Sequence, residues 1–173
     1  MSKQRSQTPY FILIHVPSQQ MHVYRDEQFW RTYTISTARY GLGEEKGSEC
    51  TPRGLHLIRA KIGADAPVNS VFVGRRFTGE IYSPALAAAN PDRDWILTRI
   101  FWLSGAERGK NRLGSVDTIR RYIYIHGTPD HVALGQPGSR GCIRMYNQDI
   151  IELFDHVPVY TSLLITESDV ICD

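Results

Sequence analysis

The segment Arg121-Tyr-Ile-Tyr-Ile-His126 constrains this chain most: β-branched and aromatic residues run unbroken until His126-Gly127-Thr128-Pro129. Such a run predicts a strand that stops at His126, because these residues suit a pleated surface and Gly-Pro punctuation ends it. Similar short runs recur. Tyr10 to Val16, a turn at Pro17-Ser18-Gln19-Gln20 and Met21 to Arg25 read as a hairpin. Arg31 to Thr37 alternates, with Tyr33 and Ile35 on one face. Gly54 to Ile62, Trp95 to Leu103 and Val157 to Thr166 are further strands, and Tyr40 to Pro52 is a loop. Helical patterning is confined to a turn at Ala85 to Ala89 and a helix from Asn147, read as its N-cap, through about His156. The fold expected is mostly β, with one or two short helices. Residues 1–9 are expected to be a flexible N-terminus and residues 10–173 a single domain.

Composition narrows the function. Hydrophobic residues at 42% and charged residues at 22% suit a folded core rather than a disordered chain. Twenty basic against 18 acidic residues give +2, too balanced for non-specific binding of nucleic acid. Trp95, Phe101 and Trp102 lack an interleaved basic stripe, so they read as strand residues rather than a base-stacking platform. The apolar run Phe11 to Ile14 is too short for a signal h-region or a membrane span. That predicts a cytoplasmic protein without membrane insertion, or a periplasmic one where a leader has been trimmed. Cys50, Cys142 and Cys172 form no C-x-x-C pair and the six His show no ligand spacing, so no metal or cofactor is expected. Gly105 to Lys110 lacks the length and terminal Ser/Thr of a phosphate loop. Gly74-Arg75-Arg76 reads as a turn with exposed charge, and Arg112, Arg120 and Arg121 as a solvated face.

His126, at a strand end, and Cys142, inside Ser139-Arg140-Gly141-Cys142-Ile143-Arg144, carry the chemistry. Alone, a cysteine is a small hydrophobe and a histidine a structural residue. Together they suit nucleophilic catalysis, since an imidazole takes the thiol proton or stabilises its thiolate. Gly141 removes a side chain beside the sulfur, so the N–H groups of Gly141 and Cys142 could form an oxyanion hole. The Arg- and His-containing loop is expected to favour the thiolate. Cys50 and Cys172 are expected to be spectators.

Y-I-Y-I-H-G-T-P-D…L-G-Q-P-G-S-R-G-C-I-R-M-Y-N-Q-D-I resembles the catalytic stretch of the L,D-transpeptidase (YkuD) family, in particular its leaderless, L,D-carboxypeptidase-like members. That family's signature is a His followed, after a loop, by S/T-H-G-C, an apolar residue and Arg or Asn. Met21-His-Val-Tyr24 resembles its early hairpin, Thr51-Pro-Arg-Gly54 its T-P-x-G turn and Val157 to Ile165 its closing strand. The resemblance implies a YkuD-like β-sandwich or barrel, with Cys142 as nucleophile and His126 as base and acid. It implies that the Gly127 carbonyl orients His126. Gly141, Cys142 and Arg140 would supply oxyanion N–H groups, and Arg144 and Ser139 would contact substrate. Arg140 stands where the family usually has His. Its N–H and charge remain available, so the change is expected to alter substrate or acceptor preference.

The partner implied is a peptidoglycan stem peptide or muropeptide, cleaved between the diamino acid and terminal D-Ala. Hydrolysis by water is the first expectation and cross-linking to an amine the second. A non-catalytic muropeptide-binding module, or a nucleophilic Ser139, are the rival readings.

Overall fold

The computed structural model describes residues 7–169, so Cys172 and residues 1–6 of the expected flexible segment lie outside the described residues. Ten strands share one sheet. β1 (Tyr10–His15) and β2 (Gln20–Arg25) form the expected hairpin, and β3 (Gln28–Ser36) extends it antiparallel. β4 (Gly54–Ile62) and β7 (Ile96–Gly105) pair antiparallel. β8 (Tyr124–Gly127) and β9 (Ile143–Met145) lie side by side in parallel, between β7 and β3. β10 (Ser162–Thr166) runs parallel to β1 on one side and antiparallel to β4 on the other. The β4–β7 pairing closes the sheet into a barrel-like ring. Closure satisfies strand edges that would otherwise be left as unpaired N–H and C=O groups.

β5 (Ser70–Val73) and β6 (Arg76–Ile81) form a hairpin that branches from the start of β7, where Val71 faces Leu97. No alternation had marked this hairpin in the sequence, because β5 buries three consecutive residues and β6 has no fully buried position. Its turn carries Gly74 and Arg75 at φ +56° and +63°, two residues in the left-handed region whose turn matches the right-handed twist of the flanking strands.

Alternation places side chains in the ring. Ile12, Ile14, Met21, Val23, Ile35, Ile58, Phe101, Ile125, Ile143 and Met145 point inward and form the core. α2 (Asn147–His156) lays Ile150, Leu153 and Phe154 on that core, with Phe154 and Phe101 rings 5.3 Å apart. Fully burying each of these side chains is worth about 1.5–3 kcal/mol. α1 (Pro84–Ala89) is one short helix, started by the Ser83 hydroxyl accepting from the Leu86 N–H.

Three local expectations are corrected. The strand expected from Arg121 begins at Tyr124, because Ile119–Arg121 is a 3-10 turn and Tyr122 is left-handed at φ 56°. Asn147 is not the N-cap of α2; Tyr146 holds that position and the Asn147 amide is used elsewhere. Arg121 is not a solvated residue, for its guanidinium donates to the carbonyls of Gly43 and Cys50 at 3.1 and 2.7 Å and ties down the loop before β4.

Candidate active site

Period-two alternation on two adjacent strands builds the site. Ile125 pairs with Ile143 and both face the core. Their neighbours Tyr124, His126, Cys142 and Arg144 therefore share the opposite face, and all four line one cleft of about 510 Å³. Parallel pairing of β8 and β9 brings together residues that a loop separates in the chain. His126 stands directly across from Arg144, and the Tyr124 N–H donates to Cys142 Sγ at 3.3 Å.

The turn before Cys142 is braced from several sides. Gly141 has φ +128°, and a Cβ there would press on Ile123 and on the Cys50 carbonyl, so glycine is required. The Gly141 carbonyl accepts from Thr51 Oγ1 at 2.9 Å, which gives the T-P-R-G turn its role of anchoring the cysteine loop. Ser139 is buried; its hydroxyl donates to the Cys142 carbonyl at 2.5 Å and accepts from the Gly141 N–H at 3.2 Å. The Gly141 N–H is thus occupied, and it must exchange Ser139 for substrate before it can hold an oxyanion. The Arg140 side chain is exposed at the cleft rim.

Burial sets the protonation states. The Cys142 thiol is pushed up to about 12, mainly by desolvation, against the opposing pull of the Tyr124 N–H, Arg144 and Arg121. Burial also lowers His126, opposed by its bond to Gly127 and by Asp94. Desolvation thus works against the thiolate that the loop was expected to favour, while the nearby guanidinium groups work for it. Both shifts favour a thiol and a neutral imidazole at rest in the one cleft. His126 Nδ1 lies 2.7 Å from the Gly127 carbonyl. A carbonyl only accepts, so Nδ1 carries the proton and Nε2 keeps its lone pair.

Arg144 is already engaged, with Nη2 3.1 Å from Asp94 Oδ1 and Nη1 3.1 Å from the Gly138 carbonyl. Asp94 and Arg144 also line a second cavity of about 300 Å³, walled by Tyr82, Trp95 and His131. Sequence reasoning passed over Asp94, which sits in an irregular loop with no pattern. It read Arg75 as exposed charge in a turn, whereas its guanidinium lies 4.5 Å from the Trp102 ring and 4.9 Å from Tyr122 and donates to Tyr124 Oη at 3.0 Å. Arg75 is a wall of the cleft, not a free surface charge.

A closed, mostly β barrel thus sets a thiol and a tautomer-fixed imidazole in one arginine-lined cleft. The L,D-transpeptidase catalytic domain (YkuD) family model matches residues 9–165, and the chain belongs to that family. The "Probable L,D-transpeptidase ErfK/SrfK" of Salmonella typhimurium strain LT2 is 30% identical over 140 residues, 80% of this chain and 40% of that protein. The chain therefore spans less than half the length of this curated relative. Among solved structures, an L,D-transpeptidase from Mycobacterium smegmatis superposes with a TM-score of 0.58 at 18% identity, over 92% of this chain and 59% of that one. Bd1075 of Bdellovibrio bacteriovorus also gives 0.58 at 18% identity, over 96% of this chain and 51% of that one. These likenesses establish the fold.

Proposed function

We propose that the chain is a cysteine-dependent acyl-transfer enzyme of peptidoglycan stem peptides, acting on the bond between the diamino acid's L-centre and a terminal D-Ala. The observation that carries this is the placement of Cys142, His126 and Arg144 on one face of β8 and β9, lining a single cleft. The donor's terminal carboxylate takes Arg144, by charge-assisted hydrogen bonds that displace Asp94. Nε2 of His126 accepts the thiol proton as Sγ bonds to the carbonyl carbon. The C–N bond then breaks, the D-Ala nitrogen receives that proton, and a thioester remains at Cys142. Turn N–H groups of Arg140, Gly141 and Cys142 hold the oxyanion. Ser139 serves as a brace of this turn, since its hydroxyl is committed to the Cys142 carbonyl.

Water then resolves the thioester in our reading, with His126 taking its proton, which makes the reaction an L,D-carboxypeptidase trimming of soluble muropeptides in the cytoplasm. Bulk water prevails unless an amine is held in place, since oriented attack carries effective molarities of about 10⁵–10⁸ M. Cross-linking transfer is the second reading, favoured by the cavity beyond Asp94 and Arg144, which has room for an acceptor. Incubation with a tetrapeptide muropeptide, with and without excess acceptor amine, decides between them by mass spectrometry. Tripeptide product supports hydrolysis, and dominant cross-linked dimer or a periplasmic native protein overturns it. A protein that binds muropeptide with Cys142 unacylated is a binding module.

A further inference from the structure

Asn147 is a polar side chain sealed behind the strands that carry the site, at 1% exposure. Burying an amide is unfavourable unless its hydrogen bonds are made, and here they are made in full. Oδ1 accepts from Thr98 Oγ1 at 2.5 Å, and Nδ2 lies 3.0 Å from Asn69 Oδ1, 3.0 Å from the Thr128 carbonyl and 3.1 Å from Asp130 Oδ1. None of these bonds caps α2. They tie the helix start to the loop that leaves His126.

The far end of the network is strained. Thr98 is fully buried and has φ +74°, a conformation that a β-branched residue rarely adopts. It lies in a bulge where Thr98 and Arg99 are inserted between Leu97, opposite Gly127, and Ile100, opposite His126. Thr98 Oγ1 also accepts from the Asn69 N–H at 3.1 Å. Strain of this kind persists where the surroundings over-determine it, and bulges recur beside sites where a side chain must be aimed. Gly127 closes the chain of contacts: a Cβ there would run into Asn147 Oδ1 and the Leu97 carbonyl. The Asn147 amide therefore packs on the residue whose carbonyl accepts the hydrogen bond from His126 Nδ1–H.

We propose that Asn147, held by Thr98, is a positioning residue that fixes the Gly127–Thr128 backbone and through it the tautomer and ring orientation of His126. This rests on the reading of His126 as the proton-transfer group. Asn147 touches no reacting atom. Its effect falls on kcat and on the state of the imidazole, and donor binding at Arg144 is left alone.

The test uses the full chain, a tetrapeptide muropeptide for D-Ala release, and ¹⁵N NMR of the histidine ring. Asn147→Ala is expected to lower kcat by about 10–100-fold, the penalty of a small misplacement, with KM changed by less than about threefold. The His126 ring should lose its single Nδ1–H tautomer, and the acidic limb of the pH–kcat profile, shaped also by Asp94 and Arg144, should move. Thr98→Val should reproduce these effects, while Thr98→Ser, which keeps the hydroxyl, should restore them. The Thr98 pair decides the matter alone if Asn147→Ala does not fold. A lower melting temperature with unchanged kcat, pH profile and tautomer overturns the proposal. If the wild-type protein releases no D-Ala, the acyl-transfer reading fails, and the NMR comparison still decides whether Asn147 sets His126.

Discussion

Arg144 and Asp94 form an ion pair, 3.1 Å between Nη2 and Oδ1, at the boundary shared by the two cavities. In the free enzyme a carboxylate of the protein thus occupies the guanidinium that the proposed donor carboxylate needs. Asp94→Asn should remove the competitor. The pair is partly exposed and worth on the order of 1 kcal/mol, so the donor KM should fall about fivefold. Arg144→Ala should raise KM by about 10–100-fold, the loss of a charge-assisted contact, and Arg144→Lys should rescue only part of it. Steady-state kinetics on a tetrapeptide check both, and a rise in KM in Asp94→Asn would show that Asp94 aligns Arg144 rather than competing for it.

The pH dependence follows from His126 and Cys142. His126 is lowered from its ordinary 6.5 and must be neutral to accept the proton, so kcat/KM should stay flat down through pH 6.5 and decline only below it. The Cys142 thiol, pushed up to about 12, should give no inflection in its alkylation rate between about pH 7 and 10. His126→Ala should cost about 10²–10⁴-fold in kcat, and Cys142→Ala should abolish turnover with the fold intact. A clear thiolate titration near neutral pH would overturn this account of the resting state.

Arg75 fastens the turn of the β5–β6 hairpin to the cleft wall by stacking on Trp102 and Tyr122 and donating to Tyr124. Cation–π contacts contribute about 0.5–2 kcal/mol, so Arg75→Ala should raise the donor KM by roughly 2–30-fold and increase amide exchange in the hairpin. Unchanged exchange together with unchanged KM would reduce Arg75 to a surface charge.

His56 is fully buried between the Gly54 carbonyl and Thr118 Oγ1, and burial lowers it from 6.5 to about 4. Between those values the unfolded chain holds the extra proton, so stability should fall as pH drops from 6.5 toward 4, by roughly 3 kcal/mol in all. Urea unfolding of the wild type and His56→Gln at pH 7 and 4.5 measures this. The variant's loss between the two pH values should be smaller, and equal losses would place the acid sensitivity elsewhere.

Much of this site was legible from local chemistry. A β-branched run ending at His126-Gly127, and a glycine immediately before Cys142, mark strand ends and a tight turn whatever the rest of the chain does. The period-two pattern also names the core: Ile125, Ile143 and Met145 alternate with His126 and Arg144 because a strand has two faces. The T-P-R-G turn was visible as well. Its purpose was not, since Thr51 meets Gly141 only across 90 positions.

Tertiary structure decided the remainder. Short β5 is buried without alternation and β6 is exposed, so neither carries a period-two pattern, and Arg75 faces the cleft only because the hairpin folds back onto β7 and β8. Arg144 finds Asp94, and Asn147 finds Thr98, through pairings between segments far apart in the chain. The state of Cys142 turned most completely on packing. Its neighbours in sequence are basic and suggest a thiolate, whereas its neighbours in space withdraw the thiol from much of its water. Desolvation acts through the whole surrounding shell and outweighs those few charges. Residue types and their spacing determined which groups were candidates for the chemistry. The closed sheet determined their partners, protonation and orientation, because register and burial are set by contacts no local stretch of sequence contains.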